Sequence, residues 1–399
     1  MKTTGDQQLV KRINRSVLLR LIRAQPGLSR AQAASQSGLT KSTVSSAVRE
    51  LIEEGWLSES GASAASAGIA SGSGRPSTPL QINPHTRGLI GVELAVDCLR
   101  VVTVNPLGEV LFSLQSDLQS TRPVDVCHQI AGLAAQAHTD LTARGVSLSG
   151  VGIGLPGAFD DATGHVRFAP NLGWRNVDFA PQMARALRQT GMPDVSLHIQ
   201  NEADTAALSE YEFAEGESGD TLIFVTCDVG VGAGIVLNDR LFTGAQGNAG
   251  EIGHSIMQLD GLLCSCGRRG CAETFIGARA LEREVHQSGQ LVGAGSHLGV
   301  LIQNLWTTFN PSTLVVGGAS SVRYPQLVQI ARGTLQAYAA SAGMPAPVVR
   351  SARYGLLASA VGAAALVLHQ YLRPMHPRVL RAVAATPAPV HDILQPELA

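Results

Sequence analysis

Three thiols and one imidazole are spaced along the chain as if to share an ion. They are His254, Cys264, Cys266 and Cys271, in the pattern H-x9-C-x-C-G-x3-C. Three thiolates and one imidazole complete a tetrahedral shell, the closed arrangement of structural zinc. Sulfur-rich ligation argues against Mg2+ or Ca2+. A closed shell leaves no position for an activated water, so the expected role is structural and not hydrolytic. Gly261, Gly267 and Gly270 let a short loop fold back around the ion. The remaining cysteines, Cys98, Cys127 and Cys227, stand apart in apolar context and read as core residues. Clustered cysteines in a chain without a secretory signal suggest metal before disulfides.

The elements that hold this loop must come from a large body. The chain has 399 residues, enough for two or three domains. Apolar residues make up 45% and charged residues 15%, which excludes a disordered polyelectrolyte and leaves material for large cores. No apolar stretch reaches about 18 residues without a charge or turn residue, and the N-terminus has no apolar h-region. No membrane partner is therefore expected, and the default compartment is the cytoplasm. From residue 88 strand-like runs (LIGVEL, LRVVTV, GVGIGL, LIFVTC, LVVG) alternate with Ala-rich helical stretches such as 124–144 and 180–190. That alternation predicts an α/β body. Two Gly-rich segments, Gly152–Gly157 and Gly230–Gly234, read as turns after strands that allow close backbone approach to a ligand. The tail from Pro374 holds five prolines in 26 residues and reads as disordered.

The front of the chain differs in charge. Residues 1–87 carry a net +6 and residues 88–399 a net −7, and all three lysines (Lys2, Lys11, Lys41) lie in the front part. A basic module favours polyanions through counterion release. Ile13, Val17, Leu18, Leu21 and Ile22 mark a helix over 13–24, broken by Gln25-Pro26-Gly27. Ser29 caps a short second helix, Gly38 makes the turn, and Thr40 caps a third helix over roughly 41–54. Lys41, Ser42, Thr43, Ser45, Ser46 and Arg49 occupy its polar face. Two short helices around a Gly turn, the second small, polar and basic, match a helix-turn-helix with operator DNA as partner. Trp56-Leu57 and Leu80–Ile82 would form the wing. The Gly/Ala/Ser-rich stretch between them carries Arg75, a candidate for the minor groove.

Taken together, the motifs resemble the ROK family (repressors, open reading frames, kinases) over roughly residues 10–370. GEIGH at 250–254 followed by CSCGRRGC at 264–271 is similar to its zinc signature. GIGLPG (152–157), PNLGW (170–174), QNEADTAALSE (200–210) and NPSTLVVGG (310–318) resemble further family motifs in order. The resemblance implies an N-terminal winged helix-turn-helix followed by a two-lobed actin-like (sugar kinase) fold with a sugar in the cleft. Its sugar-facing residues would be Asn171, Asn201, Glu202, Glu251, His254 and Glu273, with His254 shared between zinc and sugar. The expected organisation is a DNA-binding domain at 1–60, a wing and flexible linker at 61–87, a first lobe at 88–200 and a second lobe at 201–355. Helix 356–372 would return to the first lobe.

The family's kinases carry an Asp-x-Gly-Gly-Thr phosphate loop. Here the matching stretch is Glu93-Leu94-Ala95-Val96-Asp97, and Val231 replaces the Thr of the second loop. Lost hydroxyls and added negative charge oppose polyphosphate. The reading is a sugar-responsive repressor, not an enzyme and with no catalytic residue, acting as a homodimer or dimer of dimers. The alternatives are an ATP-dependent sugar kinase with an accessory DNA module, or a regulator that answers to a phosphotransfer protein.

Overall fold

The computed structural model describes residues 5–59, 78–160, 163–192, 195–213 and 221–373. Arg75 and the tail from Pro374 lie outside the described residues. The chain opens with α1 (Gly5–Ala24), α2 (Arg30–Ser37) and α3 (Lys41–Glu53), followed by β1 (Leu57–Glu59) and β2 (Leu80–Ile82). The turn chemistry explains the boundaries. Ser29 and Gln32 form a reciprocal capping box at the start of α2. Gly38 takes φ +71°, a left-handed conformation that costs glycine little. The Thr40 hydroxyl accepts the Thr43 N–H at 3.2 Å and starts α3. β1 and β2 pair antiparallel, with Leu57 opposite Ile82. α1 begins eight residues before the predicted start. Its extra turns are mostly polar and are tied to α3 by Lys11–Glu50 at 2.9 Å. Apolar spacing alone does not register such a segment.

The body continues with β3 (Arg87–Leu94), β4 (Cys98–Val104), β5 (Val110–Asp117), α4 (Pro123–Ala143), β6 (Ser147–Leu155), β7 (Ala158–Asp160), β8 (His165–Ala169), β9 (Trp174–Asp178), α5 (Phe179–Gln189), β10 (Leu197–Asn201) and α6 (Glu202–Phe213). Then come β11 (Thr221–Cys227), β12 (Val231–Leu237), β13 (Arg240–Leu241), α7 (Glu273–Ile276), α8 (Ala278–Ser288), α9 (Val292–Phe309), β14 (Thr313–Gly317), α10 (Ala319–Arg323), α11 (Gln326–Ser341), β15 (Val348–Ser351) and α12 (Ala358–Leu372).

Two five-stranded sheets result, ordered β10-β6-β3-β4-β5 and β13-β12-β11-β14-β15. Each has three parallel strands and an antiparallel meander. The same plan is thus built twice, although no short-period repeat is visible in the sequence. A three-stranded flap, β7-β8-β9, projects from the first sheet's side.

Helices α6 and α12 lie between the sheets, and glycine sets how closely. A Cβ at Gly152 would lie 1.7 Å from the Ala363 carbonyl oxygen, and one at Gly362 only 1.6 Å from that of Thr205. This corrects the reading of the Gly-rich segments. Gly152 and Gly154 lie within β6, and Gly232 and Gly234 within β12. Gly152 and Gly234 admit helix backbone, while Gly154 lies against the Thr205 and Ser359 hydroxyls and Gly232 against the Thr226 methyl. Gly157 (φ +102°) and Gly230 do sit at turns. Segment 355–372 is apolar and long enough to cross a membrane, but 72% of it is buried inside this fold. Cys98, Cys127 and Cys227 are buried, as expected.

One apolar core runs without a break from α1 and the wing (Leu18, Trp56, Leu57, Leu80) through α6 and α12 to both sheets. The DNA-binding module therefore packs on the body.

Candidate functional site

The four metal-ligand candidates converge. One donor atom from each of His254, Cys264, Cys266 and Cys271 lies within 4.8 Å of all the others. Cys264 Sγ is 3.7 Å from His254 Nδ1, and Cys266 Sγ is 3.6 Å from Cys271 Sγ. Ligands about 2.3 Å from a tetrahedral zinc are about 3.8 Å apart, so the cluster fits a metal ion of that size. Local folding brings the four together. His254 ends a single 3-10 turn (Ile252–His254), and short bridges pair Ile256 with Cys271 and Leu263 with Arg269. Gly270 takes φ +69°, and a Cβ there would strike the Gln258 carbonyl oxygen at 1.6 Å. With Nδ1 turned to the cluster, the other ring nitrogen of His254 is left for a ligand.

The cysteine-bearing loop meets Glu273 at the start of α7. Its Oε1 accepts from Ser265 Oγ at 3.4 Å and lies 3.9 Å from Cys264 Sγ. Gly230 makes room for it, since a Cβ there would come within 2.8 Å of Glu273 Oε2. Sequence reasoning gave Gly230 a general role and missed this one. Glu251 is exposed and caps nothing with its side chain. Asn201 ends β10 and Glu202 begins α6. The Asn201 side chain accepts the Ala203 N–H at 2.8 Å and donates to the Gly157 carbonyl at 3.1 Å. It therefore holds the β6–β7 turn against the start of α6, with one amide hydrogen and one lone pair to spare. Asn171 sits exposed on the 3-10 turn Pro170–Leu172, and no described contact joins it to the others. The flap does reach the segment between β13 and α7, where Arg167 donates to the Gln246 carbonyl at 2.9 Å. Nothing in the sequence pointed to that contact.

Glu202 is strongly affected by folding. Its Oε2 is buried without a partner. Burial first, then the fields of Glu251, Glu93 and Asp228, push its pKa up to about 8. Folding thus retains a proton that the unfolded chain releases near 4.5. The stability this contributes is complete below 4.5 and declines as pH rises, vanishing above about 8. Glu202→Gln is expected to raise unfolding free energy by about 1–3 kcal/mol at about pH 9 and to change it little below about pH 5. Denaturant melts at the two pH values check this, and an equal effect at both refutes it.

Near Glu202, whose field it shares, Glu93 at the end of β3 is engaged in an ion pair. Arg100 on β4 donates to Glu93 Oε2 at 3.0 Å. Burial, opposed by Arg100 and aided by Asp228 and Asp97, raises Glu93 to about 7. The carboxylates of Asp97 and Asp228 stand close enough to add to that field. The arrangement offers one guanidinium, already engaged, against several acids. Arg100 has no counterpart among the sequence expectations.

The remaining candidates lie on the winged module. Lys41, Ser42, Ser45, Ser46 and Arg49 are exposed on one face of α3, while Val44, Ala47, Val48 and Leu51 are buried on the other. Thr43 is partly covered and shares a 2.9 Å hydroxyl contact with Thr40. Arg49 has one loose partner, Glu53 at 3.9 Å.

Residues 12–58 match the winged helix-turn-helix DNA-binding pattern, and residues 89–370 match the ROK family. The chain belongs to the ROK family. A xylose repressor of Bacillus subtilis is 27% identical over 389 residues, covering 92% of this chain and 98% of that one. The crystal structure of a ROK family transcriptional regulator, a homologue of the Escherichia coli MLC protein, superimposes with a TM-score of 0.72 at 25% identity. It covers 91% of this chain and 97% of its own. A ROK family glucokinase from Streptomyces griseus, solved with glucose and AMPPNP, gives a TM-score of 0.58 at 26% identity, over 70% of this chain and 98% of its own. The ROK body is thus shared with kinases, and the winged module with regulators.

Proposed function

We propose that this ROK protein is a sugar-responsive DNA-binding repressor of carbohydrate-utilisation genes, released from its operator when a sugar fills the interlobe cleft. The observation that carries the reading is the joining of two parts. A winged helix-turn-helix presents a polar face on α3, and it is built onto a body in which Glu251 adds its field to Glu202 and Glu273 adjoins the His254 loop; in this reading Asn201, Glu202, Glu251, His254 and Glu273 would line the cleft. A sugar offers many hydroxyl donors, and carboxylates and amides at fixed positions read their geometry. Asn171 would close the site from the flap. Zinc is the ion that three thiolates and an imidazole suit best, and it would supply order to the loop, not chemistry. The protein works in the cytoplasm, as a homodimer or dimer of dimers whose two α3 helices meet half-sites about 10 bp apart or a multiple of that. The division at 1–60, 61–87, 88–200 and 201–355 follows the same reading, with α12 returning to the first lobe. Kinase activity is disfavoured by the Glu93–Arg100 pair and the acids beside it, where a phosphate chain would need donors.

A thermal-shift screen of monosaccharides, repeated with ATP, tests the effector. Arg49→Ala tests the DNA face. It removes an exposed guanidinium from α3 and is expected to weaken operator binding about 5–150-fold, through a lost contact of about 1–3 kcal/mol. Sugar affinity stays unchanged. Mobility shift against calorimetry separates the two, and wild-type operator affinity in this variant removes Arg49 from the interface.

A further inference from the structure

We infer that α6 and α12 form one strut that carries cleft occupancy to the DNA-binding module, and that Glu212 is the joint at its far end. The inference rests on the repressor reading above and names the residues through which it operates. α6 starts at Glu202 in the cleft and reaches Glu212 about 15 Å later, at about 1.5 Å per residue. It cannot slide freely against α12. Gly362 lies against the Thr205 backbone, and Thr205 Oγ1 meets Ser359 Oγ at 3.0 Å. Both helices run the same way, so their C-terminal ends arrive together beneath α1.

There the contacts are charged and enclosed. Glu212 is 4% exposed. It accepts from Arg23 of α1 at 2.9 Å, and pairs with His369 of α12 at 2.6 Å and with Arg373. Burial opposes its charge, but Arg373, His369 and Arg23 outweigh it and hold the carboxyl below the ordinary range. Asp239 forms a second tie, joining Arg20 of α1 at 2.9 Å to Arg373 at 3.1 Å. Tyr371 stacks on Trp56 of the module at 4.5 Å, and Ser16 donates to the Leu372 carbonyl. A lobe movement that turns α6 therefore acts on α1 through ion pairs, which depend on geometry more sharply than apolar contact does. Glu212 touches neither sugar nor DNA, so it is a positioning residue.

The test uses the full chain with Arg23→Gln, which removes one ion pair, and Glu212→Gln, which neutralises the hub. Operator affinity is read by mobility shift on a fragment selected by the wild-type protein from random DNA, with and without D-xylose or D-glucose. Wild type is expected to change affinity within the usual allosteric range of about 5–150-fold. Glu212→Gln is expected to fall below about twofold and Arg23→Gln to lie between. Calorimetric sugar affinity should stay within about threefold of wild type in both, which a role in the sugar site would not allow. Wild-type responsiveness in both variants overturns the inference, as does lost sugar binding in Arg23→Gln with its melting intact. Hydrogen exchange of residues 5–24 in sugar-free protein reads the joint alone, and Arg23→Gln is expected to speed it about tenfold. Unchanged exchange overturns the joint. If wild-type operator binding ignores both sugars while α1 exchange rises as expected, the effector reading fails and the joint stands.

Discussion

Cys266→Ser protein is expected to purify with little metal, to lose its sugar response, and to repress poorly. Structural zinc contributes about 10–16 kcal/mol to the order of small sites, all of it conditional on a complete ligand set. The loop around this cluster has little else to hold it. Ile256, Leu259, Leu262 and Leu263 are all exposed, Leu259 by 83%, so the loop buries few of its large apolar side chains. What remains is a few backbone hydrogen bonds, such as Met257 N–H to the Gly270 carbonyl at 2.7 Å and Cys264 N–H to the Arg268 carbonyl at 2.8 Å. Two proposed sugar contacts flank this loop directly: His254 belongs to the cluster, and Glu273 follows Cys271 by two residues. Sugar affinity should fall by about 10–100-fold, the usual cost of disturbing a metal site's supports. Elemental analysis, calorimetry and mobility shift on the same preparation check this. A zinc-free variant that still responds to sugar removes the metal from the regulatory path.

Glu251→Ala is expected to occupy the operator as wild type does and to stay there when sugar is added. Glu251 is exposed and makes no capping hydrogen bond, so removing its side chain costs the fold little. In the cleft it would accept from sugar hydroxyls, and a hydrogen bond to a charged acceptor is worth about 1.5–3 kcal/mol. That is roughly 10- to 150-fold in sugar affinity. A ligand moves an equilibrium only by its differential affinity for the two states, so a weakened sugar no longer releases DNA at the same concentration. A reporter strain and a mobility shift with titrated sugar measure it. If sugar instead tightens the wild-type protein on DNA, the direction of the switch is reversed and the protein is co-repressed or an activator.

Much of the site was legible because its signals are local. A capping serine, a glycine in a left-handed turn and a polar helix face each act within a few residues. The helix-turn-helix could therefore be drawn to within a residue or two of α2 and α3. The thiol spacing likewise constrains a loop that closes on itself. The errors came where the deciding neighbour was distant. Gly152 and Gly234 resembled ligand turns, but the atoms that exclude a side chain there are the Ala363 and Ala203 carbonyl oxygens. The early start of α1 is tied to Glu50 of α3 through Lys11. Asn201 was read as a sugar contact alone, while its amide also braces Gly157.

The sequence alone determined the family, the winged module with its polar helix face, and the one histidine and three cysteines whose donor atoms converge. Each is written in residue type at short or motif-fixed spacing, where chemistry and backbone preference act without help from the rest of the chain. Only the tertiary structure decided that Arg100 pairs with Glu93, that Gly230 clears space for Glu273, and that Glu212 gathers Arg23, His369 and Arg373 under the DNA-binding module. Those partners lie up to 189 residues apart, as Arg23 and Glu212 do. A buried charge is stable only where opposite charges surround it, and which ones do is settled by how α1, α6 and α12 pack, which no local pattern records.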